Sequence, residues 1–236
     1  MKKIIVAIIA VMMISLLATA AMAAEAINVA SYTEVFVPVN EADAQLTVTV
    51  KGTAGEDGYL YIVAAAKGME PSGVTGENLS GTELEAYKNG SENYFRIAVA
   101  DPAAEATVEA TFNVPGFYAV ARAADTNGAE DYKMSYKFTN YFPTKIGSYD
   151  VMIYVPQGME IVKMSSPSAY ADYKLAELDG MRGAGNAKAL AAAAANTLTF
   201  TFDAAAGAVT NILIWVICLA VGAFVFVDRY KKATKE

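Results

Sequence analysis

Histidine is absent from this 236-residue chain, and cysteine occurs once, at Cys218. Without imidazole there is no Ser-His-Asp triad, no Cys-His dyad and no histidine-ligated zinc or haem. One thiol excludes an intrachain disulfide framework. Cationic side chains are the scarcer charge, 18 Lys and Arg against 25 Asp and Glu, for a formal net charge of −7. A nucleic-acid binder needs a basic footprint, so none is expected as a partner. No fixed period of the kind that builds solenoids recurs. No cofactor or catalytic motif emerges, and none is expected.

Hydrophobic residues are plentiful, at 55%, and much of the excess lies in two terminal blocks. Residues 1–23 join Met1-Lys2-Lys3 to an apolar run from Ile4 to Leu17 and end Ala21-Met22-Ala23. That order is a secretory signal peptide with cleavage before Ala24; an uncleaved anchor is the alternative. The second block, residues 209–227, holds 19 residues without a charge. As a helix it is about 28 Å long, close to a hydrocarbon core of about 30 Å. The basic tail 228–236 follows, with Arg229, Lys231, Lys232 and Lys235, and marks the cytoplasmic side. The expected protein is therefore a single-pass protein of the cytoplasmic membrane, ectodomain outside and C-terminus inside. Ala220, Gly222 and Ala223 give the span a small-residue face for self-association, although no G-x-x-x-G is present. Cys218 reads as a small apolar residue within it.

Between these blocks the pattern is β. Period-two alternation marks 27–37, 45–50, 59–66, 94–99, 107–114, 117–123, 132–142, 149–155, 159–164 and 198–202. Turn signals separate them, among them Asp101-Pro102, Pro115-Gly116, Asn127-Gly128 and Pro156-Gln157-Gly158. An all-β sandwich follows, divided here into a first region at 24–131 and a second at 132–208. Val120 and Ile153 are expected to point inward. Two helical interruptions are also expected. One is the charged stretch 81–89; the other lies within 170–195, where the alanine tract 187–195 has helical propensity. A mobile insertion is the alternative for that tract, since Gly180, Gly183 and Gly185 precede it.

The stretch Val114-Pro115-Gly116-Phe117-Tyr118-Ala119-Val120, continuing through Asp125-Thr126-Asn127-Gly128, resembles the late strands of immunoglobulin-like and PKD-like surface modules. In those a Pro-Gly turn leads into an aromatic-x-Val strand and a polar hairpin. Residues 136–164, with Asn140 after one strand and Pro156-Gln157-Gly158 closing another, resemble repeat modules of prokaryotic surface proteins. The resemblance implies an immunoglobulin-like fold and an extracellular habitat, and carries no functional residue with it. The core cysteine pair and tryptophan of antibody domains are missing.

Candidate chemistry is sparse. The carboxylate pairs Glu56-Asp57, Glu83/Glu85 and Glu130-Asp131 fall in turns or on a charged face, where solvated acids are normal. The loop residues Asp125, Asn127, Glu130 and Asp131 offer calcium-type oxygen ligands, but the glycine falls too early for an EF-hand loop, and a plain Asn-Gly hairpin is preferred. No metal is therefore assigned. Asn78 and Asn89 head N-x-[ST] sequons. Tyr136, Phe138, Tyr141 and Phe142 form the densest aromatic row, a partner surface if exposed and core if not. The sequence alone thus points to a non-enzymatic surface protein with a structural, adhesive or partner-binding role toward a protein or glycan. An accessory subunit capping the outer face of a membrane complex is the alternative.

Overall fold

The computed structural model describes residues 27–119, 122–124 and 130–204. The expected leader 1–23, span 209–227, basic tail 228–236, Val120, Asp125 and Asn127 lie outside them. Among the described residues no helix is long and apolar enough to cross a membrane.

Fourteen strands make up most of the described structure: β1 (Asn28–Pro38), β2 (Ala44–Thr53), β3 (Tyr59–Val63), β4 (Glu70–Glu77), β5 (Glu85–Asn89), β6 (Glu92–Ala98), β7 (Glu105–Val114), β8 (Arg122–Ala124), β9 (Glu130–Thr139), β10 (Ile146–Tyr154), β11 (Met159–Ser166), β12 (Lys174–Leu178), β13 (Met181–Leu190) and β14 (Ala195–Ala204). One 3-10 turn, Tyr170–Asp172, interrupts them. A seven-stranded sheet runs β12-β13-β10-β1-β2-β7-β4; a four-stranded sheet runs β11-β14-β9-β8, and a three-stranded one β3-β6-β5. Most neighbours are antiparallel, but β1 and β10 pair in parallel, with Glu34 opposite Val151. That pairing sets residues from both sides of position 131 in one sheet, so the boundary drawn there does not separate two sheets.

The large sheet packs its inner face against both smaller ones. Alternation on β1 turns Tyr32, Glu34 and Phe36 inward, while β2 contributes Leu46, Val48 and Val50. Across the gap β9 supplies Met134, Tyr136 and Phe138. Ring contacts join the layers: Phe138 stacks on Tyr149 at 4.4 Å and Phe36 meets Tyr136 edge-on at 4.9 Å. The three-stranded sheet closes the other end through Phe95 on Phe112 at 5.0 Å. Ile153 is fully buried on β10, the inward placement its alternation predicts.

Both expected helices are strands. In 81–89 the residues from Glu85 onward pair with β6, and Asn89-Gly90, with Gly90 at φ 62°, closes the hairpin. Pairing to an aromatic partner strand overrides a modest local helix preference. In 170–195 the glycines decide the outcome. A Cβ at Gly185 would sit 2.2 Å from the Val151 carbonyl oxygen, and one at Gly183 would sit 2.8 Å from the Tyr154 ring. Their bareness lets β13 lie flat on β10, and the alanine tract is divided between β13, a tight turn and β14. The span 117–123 is also not a continuous strand: Phe117 and Tyr118 belong to a turn, where Phe117 stacks on Phe36 at 4.2 Å.

Candidate functional site

The second face of the three-stranded sheet is rich in aromatic side chains. Leu60 and Ile62 on β3, with Phe95 and Ile97 on β6, already face inward and are buried. Period two therefore sends Tyr61, Tyr94 and Arg96 to the other side, where register sets Tyr87 opposite Tyr94 and Glu85 opposite Arg96. Tyr61, Tyr87 and Tyr94 lie within 5.4–6.5 Å of one another, with inclined planes. The segment after β9 folds over them: the Tyr94 hydroxyl donates to the Tyr141 carbonyl at 3.2 Å, and Phe142 lies 6.3 Å from Tyr94. Asn140 fixes that segment. Its buried amide donates at 3.0 Å to the carbonyls of Thr144, Leu190 and Ala191, and its oxygen accepts the Phe142 N–H at 3.0 Å.

These rings line a pocket of about 180 Å³, whose one charged lining residue among the described residues is Asp57, from the turn before β3. Its carboxylate accepts the Tyr59 N–H at 3.2 Å and the Tyr61 hydroxyl. Burial, then the neighbouring Asp57, holds the Tyr61 hydroxyl well above its ordinary pKa. Burial pushes Tyr94 up to about 12, helped by the charge of Glu92. Both are fixed as neutral donors at any physiological pH. Arg96 stands beside the pocket over the Tyr59 and Tyr87 rings, at 4.2 and 4.7 Å, and Glu85 pairs with it at 2.9 Å.

A second cluster lies in the core. The Glu34 carboxylate, fully buried, accepts the Tyr136 hydroxyl at 2.9 Å on both oxygens and the Tyr149 hydroxyl at 2.5 Å. Tyr32 completes the group and accepts the Val63 N–H at 3.1 Å. No cation is among these partners. Burial raises Glu34 to about 7, opposed by the hydrogen bonds from Tyr149 and Tyr136. No second carboxylate joins it, so the paired-acid geometry of glycoside hydrolysis is missing at this point.

The residues singled out from sequence fall as follows. Tyr141 and Phe142 line the pocket. Tyr136 and Phe138 are buried instead, 5% and 0% exposed, because β9 turns Lys133, Ser135 and Lys137 outward; there is no exposed aromatic row on this strand. Asn89 is exposed at its hairpin, whereas the Asn78 side chain is committed to both backbone groups of Asp101, at 2.8 and 2.9 Å. Glu130 and Asp131 open β9, and among the described residues no group of three acidic or thiol ligands converges on a metal site. Sequence reasoning did not find Glu34, although its place between Tyr32 and Phe36 on an alternating strand already set it inside.

Neither a family model nor a curated protein sequence matches this chain. Solved structures do. An M1 zinc metallopeptidase mutant from Deinococcus radiodurans, bound to a Tyr-Ser-Ala substrate, is 12% identical, with TM-score 0.41 over 74% of this chain and 42% of that one. Native leukotriene A4 hydrolase from Saccharomyces cerevisiae is 9% identical, TM-score 0.44, over 74% and 29%. Legionella pneumophila aminopeptidase A in complex with aspartic acid is 9% identical, TM-score 0.42, over 74% and 21%. The chain thus spans less than half of each. These neighbours correct the sequence-based function: they are peptidase and hydrolase chains, not adhesive, structural or accessory surface modules. No residue or activity passes from them to this chain, which has no histidine for a His-Glu-x-x-His zinc site.

Proposed function

We propose that this protein is a small-ligand-binding β-sandwich domain that works through the tyrosine-lined pocket beside β3, β5 and β6. The observation that supports the reading is convergence. Three tyrosines from β3, β5 and β6 meet Tyr141, Phe142 and Asp57 around one recess. Concave sites lined by aromatic groups, with a few fixed polar ones, are where small ligands bind. The Tyr61 and Tyr94 hydroxyls are held by Asp57 and the Tyr141 carbonyl, so these two ring positions are set before any ligand arrives. The proposal includes a location outside the cytoplasmic membrane, with residues 1–23 as leader and 209–227 as tether.

Ligand-detected NMR on the full chain in nonionic detergent tests this, using a panel of small neutral, anionic and cationic molecules. Hits that bind the wild type and are lost in Tyr87→Leu support the pocket. A panel without hits, or hits indifferent to the substitution, overturns it.

A further inference from the structure

We propose that the pocket recognises a methylated ammonium group, held by the Tyr61, Tyr87 and Tyr94 rings and by the Asp57 carboxylate. This rests on the pocket being a ligand site and names what it takes. The first argument is charge. Among the described residues Asp57 is the one ionic group of the lining, and no lysine or arginine shares it. The Tyr61 and Tyr94 hydroxyls stay neutral because burial holds their protons in place. Arg96, on the same sheet face, is paired with Glu85 at 2.9 Å and is not among the lining residues.

The second argument is ring geometry. A sugar stacks on open, flat ring faces. Here Tyr61 is inclined to Tyr87 by 56° and to Tyr94 by 78°, and Tyr87 to Tyr94 by 46°. Rings inclined in this way present negative π-faces in several directions, and such faces are what hold quaternary ammonium groups. The same face already holds one cation by this interaction, since Arg96 lies over Tyr59 and Tyr87 at 4.2 and 4.7 Å. The third argument is size. About 180 Å³ is room for roughly six waters at about 30 Å³ each. That is below the ~300 Å³ at which pockets for whole drug-sized ligands begin. The pocket fits a headgroup, with the remainder of the ligand outside.

Methylation matters because an ammonium that keeps its protons keeps its water. A methylated one is large, weakly hydrated and indifferent to hydrogen-bond direction, so ring faces replace its solvent at little cost. Asp57 then supplies long-range attraction and the Tyr61 hydroxyl holds that carboxylate in place.

Isothermal titration of the full chain in a nonionic polyoxyethylene detergent decides the matter. The probes are choline, tetramethylammonium, the neutral choline isostere 3,3-dimethylbutanol, and glucose. Choline and tetramethylammonium should bind saturably, with the isostere at least tenfold weaker. Asp57→Asn preserves shape and Tyr87→Leu removes one ring; each should weaken choline at least tenfold while the melting temperature stays within a few degrees. Equal binding of the isostere, or no choline binding, overturns the ammonium assignment. Glucose or isostere binding that Tyr87→Leu abolishes would do the same while leaving the pocket intact as a ligand site. Binding of every probe that is indifferent to both variants would overturn the pocket reading as well.

Discussion

Glu34→Gln should make the protein more stable above neutral pH and leave it almost unchanged in acid. The carboxyl lies at about 7 in the folded protein against an ordinary 4.5, chiefly through burial. A raised carboxyl pKa means that the folded state holds a proton which the unfolded chain has already lost. Below about pH 4.5 both states are protonated and nothing is lost. Between 4.5 and 7 the unfolded state binds fewer protons, so stability falls as pH rises; above 7 the full cost is in place. At 1.36 kcal/mol per unit the shift amounts to about 3 kcal/mol. Against a total stability of about 5–15 kcal/mol that is a large fraction, and for a chain of this size about 6–12 °C of melting temperature.

The glutamine keeps the shape and an acceptor for Tyr149, and its amide finds lone pairs on the rotatable tyrosine hydroxyls. The chain contains no histidine, so no imidazole titrates between pH 5 and 8 to blur the comparison. The groups that face Glu34 are Tyr32, Tyr136 and Tyr149, and burial holds all three hydroxyls far above that window. The assay is thermal melting of the full chain in nonionic detergent at pH 5 and pH 8, wild type beside variant. The wild type should lose stability toward pH 8 and the variant should not. Parallel curves, or a wild type that gains stability with pH, would refute the reading of Glu34 as a buried charge without a cation.

Three further outcomes follow from the packing. Gly185→Ala should cost about 1–3 kcal/mol or more, because its Cβ would meet the Val151 carbonyl at 2.2 Å; urea denaturation reads the loss. Asn140→Ala removes donors from three carbonyls and should cost about 2–4 kcal/mol, with increased amide exchange at Phe142 as the local signature. Asn186 and Asn196 donate to each other's amide oxygens at 3.0 and 2.8 Å in a buried pair. Asn186→Leu alone should therefore cost about 1–3 kcal/mol by orphaning its partner, while the double Leu variant recovers most of it; additive losses in a double-mutant cycle would contradict the pairing.

The strands legible in the sequence are those with one buried face and one open face. β1, β2, β7 and β10 show bulky residues at every second position because each lies inside the large sheet. The strands that escaped notice are mostly edges. β4, β5 and β12 each end a sheet, and the exposed character of Glu70–Glu77, Glu85–Asn89 and Lys174–Leu178 leaves no alternation to read. Charged, short edges also resist pairing with other chains, so the property that hides them is one that keeps the sandwich closed. β13 is an interior strand, but Gly183 and Gly185 alternate there with Ala184 and Asn186, and small residues read as helix or loop when the partner strand is unknown. The pocket was half legible. Tyr141 and Phe142 were singled out with two neighbours from the same run, yet only tertiary pairing reveals that Tyr61, Tyr87 and Tyr94 meet them.

The two unusual clusters share a wall, and that sharing follows from strand periodicity. Phe142 lies 6.3 Å from Tyr94 in the pocket and 6.3 Å from Tyr32 in the core. Tyr32 precedes Glu34 by one strand repeat, and its hydroxyl takes the Val63 N–H from the residue paired with Tyr94. The pocket floor is therefore held by backbone and ring contacts to the same strand that carries the buried carboxylate. A rigid floor lowers the ordering cost of binding. In this sandwich it comes from Asn140, Tyr32 and β3 together, which ties the shape of the recess to the integrity of the core rather than to the loops at its rim.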